Sequence, residues 1–132
     1  MNRYFSAVLV GVVLWYIVSF LLAAYAIWRN CLGDSGFIVA HSVILFVLLP
    51  VVIGFVSAKI AVTKRYTIAL VTTFIAYLPL VISSVKTLIK NAYPFSQADT
   101  FASITLPMLV LLLGLIGAYL SEIVIGKRIQ RQ

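Results

Sequence analysis

The stretch that decides the fold is Phe37–Val85, "FIVAHSVILFVLLPVVIGFVSAKIAVTKRYTIALVTTFIAYLPLVISSV". Apolar residues fill both sides of a short island, "VTKRY", in which Lys64 and Arg65 stand together. Neither side alternates apolar with polar residues, so neither reads as a barrel strand. Each approaches the roughly 20 residues that a helix needs to cross a hydrocarbon core about 30 Å thick. Backbone groups in lipid must be bonded within their own segment, which a helix achieves. The stretch therefore predicts two membrane helices joined by a basic turn.

Two further apolar runs flank it, giving membrane segments over residues 4–28, 37–61, 66–85 and 104–125. The connecting stretches "RNCLGDSG" and "KTLIKNAYPFSQADTFAS" carry the Gly, Pro, Asn, Asp and Ser of turns. Across 132 residues, 64% are hydrophobic and 10% charged. Soluble domains run nearer about half apolar and about a quarter charged. The expectation is an all-α membrane protein, a four-transmembrane-helix bundle forming one domain over residues 1–132. A signal-peptide reading of the first segment, with Ala24-Tyr25-Ala26 as the cleavage site, is weighed against it. The apolar run from Phe5 to Trp28 exceeds a signal core, and Trp28-Arg29 resembles an interfacial anchor, so the segment is expected to stay.

Charge sets the expected orientation. Arg3, Lys59, Lys64, Arg65, Lys127, Arg128 and Arg131 fall on one side of such a bundle, and Arg29, Lys86 and Lys90 on the other with Asp34 and Asp99. Seven against three puts both termini in the cytoplasm, and the short polar loops with this bias are, by analogy, those of a bacterial inner membrane protein. With Glu122 counted, the sides carry +6 and +1, which together make the net +7. No basic excess remains to suggest a nucleic-acid partner.

The stretch also recurs. "IGFVSAKIAVTKR" (53–65) and "IGAYLSEIVIGKR" (116–128) match at Ile, Gly, Ile, Lys and Arg with an offset of 63 residues. Either a two-helix hairpin was duplicated, giving a parallel repeat about an axis along the membrane normal, or two inward-running helices converged on one way of ending. Within the copies, Gly54 and Ala58, Gly114 and Ala118, and Gly117 and Ser121 are spaced by four, which flattens one helix face for close packing. Lys59 and Glu122 occupy equivalent places with opposite charge, predicting an interhelical ion pair. The competing reading is that both are border charges, with Glu122 beside Lys127 or Arg128.

Pro50 and Pro79 fall inside segments two and three and are candidate kinks, each removing an amide donor four residues after Phe46 and Ile75. Thr72, Thr73 and Tyr77 surround the second break, with Ser83 and Ser84 beyond it, a pattern that in some transporters coordinates ions. Pro107 is expected in the first turn of the fourth helix, where proline is tolerated. Chemistry is sparse: one histidine, His41, and one cysteine, Cys31, supply no metal set and no nucleophile-base pair. No cofactor motif is present. The expected function is non-catalytic, acting through helix association with a membrane-protein partner or a second copy; the alternative is a small dimeric transporter or channel. Proton-coupled transport would call for a mid-membrane acid, and the one embedded acid, Glu122, is off centre.

Overall fold

Two side-chain caps start two of the helices. In the computed structural model, Asn2 accepts the Tyr4 amide at 3.2 Å and Asp34 accepts the Gly36 amide at 3.0 Å. Such caps satisfy amides that the first helical turn leaves without a partner. The structure describes residues 2–30, 32–90 and 97–129; Cys31 and Arg131 and the side chains of Lys90, Asp99, Lys127 and Arg128 lie outside the description.

Helix α1 spans Arg3–Arg29 and ends at Asn30, whose left-handed backbone (φ 52°) returns its amide to the carbonyls of Ala26 and Ile27. A second apolar stretch follows as α2 (Ser35–Val43), a π turn (Ile44–Leu48) and α3 (Leu49–Ala61). Then come α4 (Arg65–Ala76), α5 (Leu78–Lys90) and α6 (Gln97–Ile129). Among the described residues every regular element is helical. Three helical stretches, Arg3–Arg29, Ser35–Ala61 and Phe101–Gly126, are long and apolar enough to cross a membrane. The third predicted segment is not one straight helix: α4 and α5 meet at Tyr77 with a 61° bend. Pro107 is also displaced from its expected place, because α6 begins upstream at Gln97 and the proline lies inside it.

Helix α3 packs along α6 more extensively than any other pair meets, and it also touches α1 and α4. Helix α4 in turn reaches α1 and α6, so α3 and α4 form the short diagonal of the bundle and α1 and α6 its far corners. Apart from Ala26, every buried residue lies in the first third of α1, in α3, in α4 with Tyr77, or in α6 from Val110 onward. No residue of α2, of the π turn, of α5 up to Ile89, or of α6 from Phe101 to Leu109 is buried. The molecule thus has a packed half and a loose half. Small residues account for the difference, since lipid offers helices little apolar reason to associate and close backbone approach must do it. Gly11, Gly54, Ala58, Ala69, Gly114, Gly117 and Ala118 all belong to the packed half.

Candidate functional site

The seam between α3 and α6 is built from backbone. A Cβ added at Gly54 would stand 2.7 Å from the Gly114 carbonyl carbon and 2.9 Å from its Cα. One added at Gly117 would stand 2.8 Å from the Phe55 nitrogen and 2.9 Å from the Val51 carbonyl carbon. These contacts are reciprocal under the 63-residue offset, which exchanges Gly54 with Gly117 and Gly114 with Val51. The reciprocity stays local, because α1 and α6 do not pack to match the α3–α4 contact. All six small residues singled out in the sequence, Gly54, Ala58, Gly114, Gly117, Ala118 and Ser121, are buried in this half. Gly11 joins them against Thr72 and Ile53, and Gly114 also rests on Thr73.

Three buried hydroxyls of the packed half are bonded to their own helices, whereas that of Ser121 has no hydrogen-bond partner among the described residues. Ser57 donates to the Ile53 carbonyl at 2.7 Å, Thr72 to Ile68 at 2.7 Å and Thr73 to Ala69 at 2.8 Å. With their protons so used, Thr72 and Thr73 serve as small packing residues. Trp15 leans edge-on against Tyr77, ring centroids 5.9 Å apart at 74°. Its indole nitrogen is buried and has no hydrogen-bond partner among the described residues.

Both internal prolines open a new helix: Pro50 in the first turn of α3, Pro79 in the first turn of α5. The π turn before Pro50 sends the Leu49 amide back to the Ile44 carbonyl. That leaves the Leu45 carbonyl with no donor from its own helix, because Leu49 is engaged elsewhere and proline has no amide hydrogen. Tyr77, at the bend of the neighbouring helix, donates its phenol to the Leu45 carbonyl. A lone carbonyl in an apolar interior is costly, and this bond removes that cost.

At the end carrying the Val62–Lys64 turn, Tyr4 and Thr63 share a hydroxyl hydrogen bond of 2.6 Å that ties the start of α1 to the turn. The Thr63 amide reaches Ala61 at 2.6 Å across Val62, whose backbone sits at φ 61°, ψ −51°. This is a three-residue γ-turn of the positive-φ kind, an uncommon and strained conformation for a β-branched residue. Arg65 Nε holds the turn from the other side, donating to the Val62 carbonyl at 2.8 Å. A cavity of about 320 Å³ opens beside it, lined by Val62, Lys64, Arg65, Tyr66, Thr67 and Glu122.

The structure brings Tyr66 to Glu122, not Lys59: the phenol donates to the carboxylate, and no ion pair joins Lys59 with Glu122 among the described residues. Helix geometry explains this. Lys59 follows Gly54 by five residues and Glu122 follows Gly117 by five. Five residues at 3.6 per turn turn a side chain about 140° from the glycine faces that touch. Equivalent places in the repeat therefore carry both charges away from the seam, and both are exposed. Tyr66 carried no signal in the sequence beyond its place at the island's edge. Tyr77 carried more, as a hydroxyl two residues before a proline, but its partner could not be named without the π turn.

His41 lies in a ring stack, 5.7 Å from Phe37, which itself stacks on Tyr25 at 6.1 Å. No group of three His, Cys, Asp or Glu residues among the described ones could hold a metal ion. The arrangement can fix helices against one another and bend them. Comparison with known proteins gives no match: no protein family fits the chain, and no curated protein or solved structure is significantly similar to it.

Proposed function

We propose that this chain is a non-catalytic membrane protein of four spans, the bent pair counting as one, which works by pairing with another membrane helix. The observation that carries the reading is the loose half: α2 and α5 show polar side chains in apolar segments and bury no described residue within the chain. His41 and Ser42 belong to α2, and Ser83, Ser84 and Thr87 to α5. Small and polar side chains hold helices together in lipid, whereas apolar ones gain little by leaving the lipid tails. A second protein's membrane helix laid on α5 would find the hydroxyls of Ser83 and Ser84, whereas Ser42 and Thr87 already donate to the Ile38 and Ser83 carbonyls and His41 packs on Phe37. In this role the chain is an accessory subunit, an immunity or exclusion factor, or a modulator.

The basic bias of seven to three supports cytoplasmic termini in a bacterial inner membrane. The α3–α6 reciprocity supports a duplicated hairpin, confined to one helix of each copy. A small dimeric transporter or channel is the second reading, favoured by two helix breaks packed against each other.

The test is a photo-crosslinking residue placed at Ile82 or Val39, both exposed, in living cells. The partner reading expects a discrete adduct with another membrane protein, weakened by Ser83→Leu together with Ser84→Leu. Adducts to lipid alone, with solute flux by the protein reconstituted by itself, would replace it with the transporter reading.

A further inference from the structure

Two helix breaks meet through one side chain. The π turn strips the Leu45 carbonyl of helical donors, and the donor that replaces them is the phenol of Tyr77, the residue at the 61° bend. Tyr77 also carries the backbone across that bend: its amide reaches the Thr73 carbonyl at 3.0 Å, and its carbonyl takes the Val81 amide at 3.1 Å. Its own backbone, at φ −98° and ψ 12°, is outside the helical well. One residue therefore links α4, α5 and the middle of the second membrane stretch.

The level at which this happens is where packing stops. Leu49, Tyr77 and Val110 belong to one buried cluster, with Trp15 and Leu45 packed on it. Beyond it α2 and α5 bury no described residue. At its far end α2 is tied to α1 by the Tyr25–Phe37 stack, and α5 leans on α6. On the other side of the cluster, backbone meets backbone at Gly54–Gly114 and at Gly117 with Val51 and Phe55, and so close an approach resists rearrangement, which leaves the breaks as the places where motion is most readily taken up.

We propose that the π turn and the bend act as one hinge latched by Tyr77, about which α2 and α5 move together relative to the glycine-packed half. A neutral phenol-to-carbonyl bond suits a latch, since it exposes no charge to lipid when it opens and restores a satisfied carbonyl when it closes. Pro50 is the reason the latch is needed: an amide at that position would compete for the Leu45 carbonyl. Trp15 is the positioning residue that holds the phenol ring edge-on. The inference does not depend on the partner reading, because the hinge belongs to the isolated chain.

Spin-label distances in lipid nanodiscs test it, in a Cys31→Ser background with labels at Val39 on α2 and Ile82 on α5, both exposed. A control pair at Phe5 and Leu120, also exposed, reads the packed half. Tyr77→Phe deletes one hydroxyl. It should add a second distance population to the outer pair and leave the control pair as in the parent. In a Pro50→Ala background, where residue 50 can supply the missing amide, the same substitution should lose at least half of that effect. Three results would overturn the hinge: an outer-pair distribution unchanged by Tyr77→Phe, equal broadening of both pairs, or an effect of Tyr77→Phe that Pro50→Ala does not diminish.

Discussion

Gly54→Ala is the smallest change that should open the α3–α6 seam. The new methyl would press directly on the Gly114 carbonyl oxygen and lie 2.7 Å from its carbonyl carbon, against an ordinary contact of 3.4–4 Å. The obstacle is backbone, so no side chain can rotate aside and the helices must separate, by at least about 1 Å. A gap of that size forfeits a quarter to a half of each dispersion contact, so about 50 atom pairs at about 0.15 kcal/mol lose about 2.5 kcal/mol. Alanine returns up to about 1 kcal/mol of helix propensity, leaving a net loss of about 1.5 kcal/mol, within the range seen for overpacked interiors. Gly117→Ala should cost about as much, since it meets Val51 and Phe55 backbone in the reciprocal contact. Gly11→Ala should cost less, because it meets the side chains of Thr72 and Ile53. Gly126, with nothing within 4 Å of an added methyl, is the control and should be neutral or slightly stabilised by alanine. Reversible unfolding in mixed detergent gives the order directly. If Gly54→Ala and Gly126→Ala behave alike, the close approach of α3 and α6 is refuted. Gly54→Leu and Gly114→Leu extend the series and should loosen the bundle further.

Two other outcomes follow from particular contacts and a third from the distribution of basic residues. Val62→Gly should raise stability by up to about 1 kcal/mol by relieving a strained positive φ, and a lowered unfolding midpoint would show that the turn is not held as described. A double-mutant cycle should find Lys59→Met and Glu122→Gln additive, because the charges do not meet, whereas Tyr66→Phe and Glu122→Ala should couple; coupling in the first cycle with additivity in the second would restore the ion pair. Reporter fusions at Gln132 and within the 63–66 turn should read as cytoplasmic and Cys31 should label from outside, so outside labelling of a cysteine placed at Gln132 would reverse the orientation.

The sequence by itself determined that this is a helical membrane protein and where its apolar segments run, because transfer between water and lipid is a property summed residue by residue along the chain. It also marked the small residues of the seam, whose spacing of four keeps them on one helix face, and the prolines beside which the helices are interrupted. What it could not determine is rotation and register. Whether Gly54 meets Gly114 depends on how two helices turn about their axes, which is fixed by the closest backbone approach they can find. That rotation then sent Lys59 and Glu122 away from each other and gave the carboxylate to Tyr66. The π turn is a tertiary product in the same way: adding one residue to a helical turn leaves a carbonyl without a donor, and it is tolerable in lipid here because another helix, bent at the same level, brings a phenol to it. Composition assigns each residue its solvent, but only packing decides which residues are neighbours.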